Sequence, residues 1–133
     1  YTLTNDTITM NYVSYAATPQ GWPSYHHYTL SPTGFSSISL SEGEFSCVGR
    51  MCFVRLVVEG QSNSGSFTIN LPIPCAIWHG GAIRVMDNGV NSVNPGYYEV
   101  SGSTMTIYKD FLGNTFTASG LKTIRTWQIE YMI

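Results

Sequence analysis

Wherever the chain shows a period, the period is two. Ile8, Met10 and Tyr12 alternate with Thr7, Thr9 and Asn11; Phe67, Ile69 and Leu71 alternate with Ser66, Thr68 and Asn70; Met105 and Ile107 alternate with Thr104 and Thr106. Such alternation puts apolar side chains on one face of an extended strand and hydroxyls and amides on the other. Near the end of the chain Trp127, Ile129, Tyr131 and Ile133 alternate with Thr126, Gln128, Glu130 and Met132, which predicts a strand running to the last residue. Residues 51–58 are apolar at nearly every position except Arg55, the pattern of a strand covered on both faces by a second sheet or another subunit. No stretch carries a helical stripe longer than one turn.

Turn formers stand between these runs: Thr18-Pro19-Gln20-Gly21, Ser31-Pro32-Thr33-Gly34, residues 60–65, His79-Gly80-Gly81, Asp87-Asn88-Gly89, Asn94-Pro95-Gly96 and Gly113-Asn114. Short strands with breakers at this spacing predict an all-β, antiparallel fold of sandwich, jelly-roll or barrel type. A length of 133 residues fits one domain, with no internal repeat or linker to divide it. The chain starts at Tyr1 without a leader pattern, so it is expected to be the C-terminal part of a longer protein. No apolar run approaches the roughly 18 residues of a membrane helix, and no membrane insertion is expected.

Composition narrows the partners. Charged residues make up 11% of the chain, against about 25% in ordinary domains, whereas Ser and Thr together number 29. The six basic residues are scattered along the sequence and the net charge is −2, which argues against nucleic acid as a partner. A surface rich in hydroxyls and aromatic rings suits neutral polar ligands such as sugars, or packing against identical subunits. The three cysteines read as buried free thiols, with a Cys47 to Cys52 bridge as the alternative. His26, His27 and His79 form no spaced pattern with them, so no metal or other cofactor is expected.

The segment Phe45-Ser46-Cys47-Val48-Gly49-Arg50-Met51-Cys52-Phe53-Val54-Arg55-Leu56, followed by Ser64-Gly65-Ser66-Phe67-Thr68-Ile69-Asn70-Leu71-Pro72-Ile73-Pro74, resembles the receptor-binding tip domains of phage tail-fibre and baseplate proteins. Gly102-Ser103-Thr104-Met105-Thr106-Ile107-Tyr108, Phe116 and Ile129-Glu130-Tyr131 are similar to their closing strands, so the resemblance spans about residues 42 to 133. It implies a trimeric jelly roll, carried on a virion and exposed outside the cell, that attaches to a host cell-surface saccharide without catalysing a reaction. The cysteines and the first 40 residues depart from the pattern.

Three segments hold the candidate ligand-binding residues. The first contains Trp22, Tyr25 and His26, since aromatic faces stack on the C–H faces of sugars and His or Tyr can donate to hydroxyls. The alternative there is a Trp packed under a loop followed by a short strand. The second is Trp78 and His79 before two glycines, where backbone can approach a ligand or simply turn. The third is the connection with Asp87, Asn88, Tyr97 and Tyr98, whose Asp, Asn, Gly and Pro equally suit a plain turn. Catalysis has weaker support. Glu42, Glu44, Asp87, Glu99 and Asp110 are candidate carboxylates, and Glu42 and Glu44 share a strand face if the strand is regular, but they read better as solvated turn residues, and no nucleophile elbow, phosphate loop or zinc-protease motif occurs. Asn5-Asp6-Thr7 forms a glycosylation sequon if the protein is secreted. The expectation is therefore a non-enzymatic saccharide-binding domain; its rivals are a purely structural fibre or capsid domain, a small glycan-cleaving enzyme and a secreted lectin.

Overall fold

The computed structural model describes residues 25–133, apart from the side chain of Trp127. Trp22, the strand expected at residues 7–12 and the sequon lie outside the described residues. Nine strands follow one another: β1 (His26–Tyr28), β2 (Phe35–Val48), β3 (Met51–Ser62), β4 (Thr68–Asn70), β5 (His79–Asp87), β6 (Val90–Asn91), β7 (Gly96–Ser101), β8 (Thr104–Tyr108) and β9 (Leu121–Met132). No helix occurs among the described residues, and every pairing is antiparallel, so the all-β antiparallel class is established.

The hydrogen-bonded order is β1-β2-β3-β9-β5-β7-β8-β4, with β6 hairpinned onto β5. Strand β5 belongs to two layers. Its first half, His79 to Ile83, pairs with β7, while Arg84 to Met86 pair with β9. A strand shared in this way lets one sheet curl over its own apolar face. The far ends of the path then meet: Thr33 N donates to Thr68 O (2.9 Å), Ser31 N to Asn70 Oδ1 (2.6 Å) and Asn70 Nδ2 to Thr29 O (3.0 Å).

Alternation fills the enclosed space. Val54, Leu56 and Val58 of β3, Ile124, Ile129 and Tyr131 of β9, Ile83 and Val85 of β5, and Val100, Met105 and Ile107 of β7 and β8 are all buried. The apolar run at residues 51–58 differs from its expectation in one respect. Its inward positions are buried, but Phe53 and Val57 on the other face are only half-buried and Arg55 is exposed, so among the described residues one face is fully covered and the other partly.

Two expected turns are strand instead. Residues 60–62 extend β3, and His79-Gly80-Gly81 opens β5. The glycines serve packing there: a Cβ on Gly80 would collide with the Tyr97 hydroxyl, and one on Gly81 would lie 3.1 Å from the Tyr98 ring. Asn88 and Gly89 form the expected tight turn; φ values of 51° and 78° match the turn whose twist suits a two-residue hairpin.

Candidate binding cleft

The curl leaves an opening where β5 and β9 part. Val54 pairs with Ile129 and Leu56 with Thr126, so two residues of β9, Trp127 and Gln128, stand opposite Arg55 alone. A bulge of this kind bends its strand. The ladder between β5 and β9 ends at Arg84 opposite Arg125, and beyond that pair the strands separate. The cleft between them has a volume of about 420 Å³ and is lined by Ala82, Ile83, Arg84, Arg125, Thr126 and Gln128.

Each flank of this cleft carries aromatic groups. Tyr97 stands opposite Ala82 and shares its outward face, since directly paired residues point to the same side. Its ring stacks near Tyr108 (centroids 6.1 Å, planes 21° apart) and meets Phe111 at 5.4 Å. Burial, then Glu99 and Tyr108, raise the Tyr97 pKa, so its hydroxyl stays a neutral donor. On the other flank the Tyr25 hydroxyl donates to Gln128 Oε1 at 2.7 Å. The Arg55 guanidinium covers the Tyr25 ring at 3.8 Å from its centroid, and Glu44 binds Arg55 at 2.8 Å. This chain of contacts holds the Gln128 side chain at the cleft wall through its Oε1.

The fold therefore divides the residues singled out from the sequence. Tyr25 and Tyr97 flank the cleft. Tyr98, next to Tyr97 but of opposite parity, is buried in the core, where its hydroxyl lies 3.2 Å from His79 Nε2. His26 faces Phe45 with ring centroids 5.7 Å apart, away from the cleft. Trp78 is 58% exposed, just before β5. Asp87 accepts from Thr117 N (2.8 Å) and Thr117 Oγ1 (2.9 Å) and has Lys109 Nζ at 3.6 Å, while Asn88 packs against Gly120. Both residues thus hold the loop that runs from β8 to β9.

The carboxylates are dispersed in the same way. Glu42 and Glu44 do share the outward face of β2, as a regular strand requires, but Glu44 is committed to Arg55. Asp110 accepts from Leu112 N, Asn114 N and Asn114 Nδ2, and the bonds from Asn114 lead in depressing its pKa. Among the described residues Cys47 and Cys52 are buried opposite one another in the β2–β3 hairpin. Hydrogen bonding within the pair pushes the Cys47 pKa up and pulls the Cys52 pKa down.

Sequence reasoning missed Arg84, Arg125 and Gln128. The two arginines look scattered because they belong to strands far apart in the chain, and only the β5–β9 register makes them neighbours. The available signal was parity: each sits at a polar position inside an apolar alternation, beside Ile83 and Val85 or beside Ile124. No model of a known protein family matches this sequence, and no curated protein is significantly similar to it.

Proposed function

We propose that this domain binds saccharide without catalysis, as a receptor-binding tip of a viral or phage fibre, and that the cleft between β5 and β9 is its ligand site. The observation that carries this reading is the composition of the cleft and its flanks. Hydrogen-bonding groups of Arg84, Arg125, Thr126 and Gln128 line an open depression, with Tyr97 opposite Ala82 on one side, its ring meeting Phe111, and Tyr25 bonded to Gln128 on the other. Sugar recognition uses this combination, in which ring faces take the C–H surface and fixed polar groups take the hydroxyls. The placement in a virion, the host attachment role and the homotrimer rest on the sequence resemblance and are part of the proposal.

Phe111 tests the site with little risk to the fold, because its ring is 58% exposed. Phe111→Ala should weaken binding on a glycan array about tenfold, equivalent to about 1.4 kcal/mol, with an unchanged melting temperature. Equal binding by the variant and the parent would remove the aromatic flank from the site.

A structural fibre or capsid role is the second reading, favoured by the exposure of Val93 (98%) and Leu112 (88%) on loops near one another. It predicts an assembled protein that binds no saccharide.

A further inference from the structure

Arg84 and Arg125 stand directly opposite one another across β5 and β9, and both side chains are exposed. Like charges in that position repel, so a sheet normally avoids them or supplies a counter-charge. The other four of the six basic residues each have a partner. Arg50 Nε donates to Ile133 O at 3.3 Å, Arg55 pairs with Glu44, Lys109 lies beside Asp87, and Lys122 is bound by backbone carbonyls. Arg84 and Arg125 form no ion pair among the described residues. Glu59 lines a second depression with both arginines but forms no ion pair with either, and its oxygens accept from Ser39 at 3.4 Å and Thr123 at 3.3 Å.

From this pairing we infer that the cleft holds an oxyanion, and that the saccharide it takes is an acidic one bearing carboxylate or phosphate. The inference rests on the saccharide reading above and gives it a substrate class. Guanidinium groups present forked donors that match the two oxygens of a carboxylate or phosphate, and two of them at one place convert a repulsive pair into a clamp around a negative charge. Gln128 and Thr126 in the same lining would take neighbouring hydroxyls, and Tyr97, opposite the lining residue Ala82, would offer a ring face. The rest of the surface carries little charge, so the selectivity for acid would come from this pair.

The test is calorimetric titration of the purified chain with a short oligogalacturonate, a phosphorylated oligosaccharide, their neutral counterparts and inorganic phosphate. Binding of at least one acidic oligosaccharide is expected, at least tenfold tighter than its neutral counterpart and weakened by added salt. Arg84→Gln with Arg125→Gln should abolish that preference and, by removing the repulsion, raise the melting temperature. Which acidic oligosaccharide binds identifies the anion. An acidic ligand bound equally by parent and double variant would overturn the inference, and so would a neutral sugar preferred over both acids, although the saccharide reading would then stand. Arginine-dependent binding of inorganic phosphate with no saccharide bound would keep the anion site and remove the saccharide reading. No binding of any probe would overturn both.

Discussion

Lys122 has no exposed surface, an unusual position for a lysine. Its Nζ donates to the carbonyls of Gly34 (2.8 Å), Ser64 (3.0 Å) and Ser66 (3.2 Å), and the rings of Phe35, Phe67 and Phe116 surround it at 4.6, 5.0 and 5.5 Å. One side chain thus ties β9 to both the loop before β2 and the loop after β3. Burial lowers its pKa to about 8, while the Asp87 carboxylate pulls the other way. Between about pH 8 and the ordinary lysine value near 10.5, the unfolded chain keeps a proton that the folded one has released, so stability rises with pH across that window. Above about pH 10 the buried hydroxyls of Tyr28, Tyr98 and Tyr131, all with raised pKa, reverse the trend, because the unfolded tyrosines ionise first. The raised Cys47 thiol opposes the Lys122 trend in the same window, because an unfolded thiol ionises there first, so the Lys122 contribution is read as a difference: the urea midpoint of the parent should climb relative to that of Lys122→Met between pH 8 and 10, and both should fall beyond. Lys122→Met should lose that climb and about 1 kcal/mol at pH 7, since Ser66 O loses its donor while Gly34 O and Ser64 O keep theirs from Asn63 N and Ser62 Oγ. A parent-minus-variant difference that is flat or declines from pH 8 would refute the assignment.

At the scale of elements, period-two patterning was a reliable guide wherever one face meets the core. Strands β4, β8 and the second half of β9 fall on the alternations at residues 66–71, 104–107 and 126–133. Strand β2 was not legible, because its first half runs Phe35-Ser36-Ser37-Ile38-Ser39-Leu40 with mostly exposed side chains and two register shifts. Its extended form is dictated by pairing with β3, and pairing between strands leaves no mark on local sequence. The start of β5 was hidden for a related reason. Two glycines usually signal a turn, yet here they make room for Tyr97 and Tyr98 on a neighbouring strand. Asp87 was read as a ligand candidate because a latch and a ligand group use the same residue type. Its two bonds to Thr117 make a prediction: Asp87→Ala should cost about 1–3 kcal/mol through the lost charge-assisted bonds. It should also speed amide exchange across residues 109–120. Sugar binding at the cleft should persist in this variant, and its selective loss would move the site towards the β5–β6 hairpin.

At the scale of the molecule, the curled sheet covers its core but leaves large apolar side chains in solvent. Val90, Val93 and Leu112 are 68%, 98% and 88% exposed, and they belong to loops that approach one another around a depression beside Asp87 and Lys109. Charge is too sparse in this chain to keep such a patch soluble by repulsion. The trimer proposed above would bury it, because a closed ring of three gives each patch a partner surface and leaves none exposed. Such an assembly would also place three clefts on one rigid tip, where weak individual binding adds up to a much stronger attachment. Light scattering coupled to size exclusion should then give about three times the 14.7 kDa chain mass. Replacing Val93 and Leu112 with Ser should yield monomers that stay folded, since neither side chain contributes to the buried core. Those monomers should bind an immobilised saccharide more weakly than the trimer while binding a free short oligosaccharide equally well. A parent chain that runs as a monomer at all concentrations would separate the cleft from the trimer, and the exposed patch would then need a different partner.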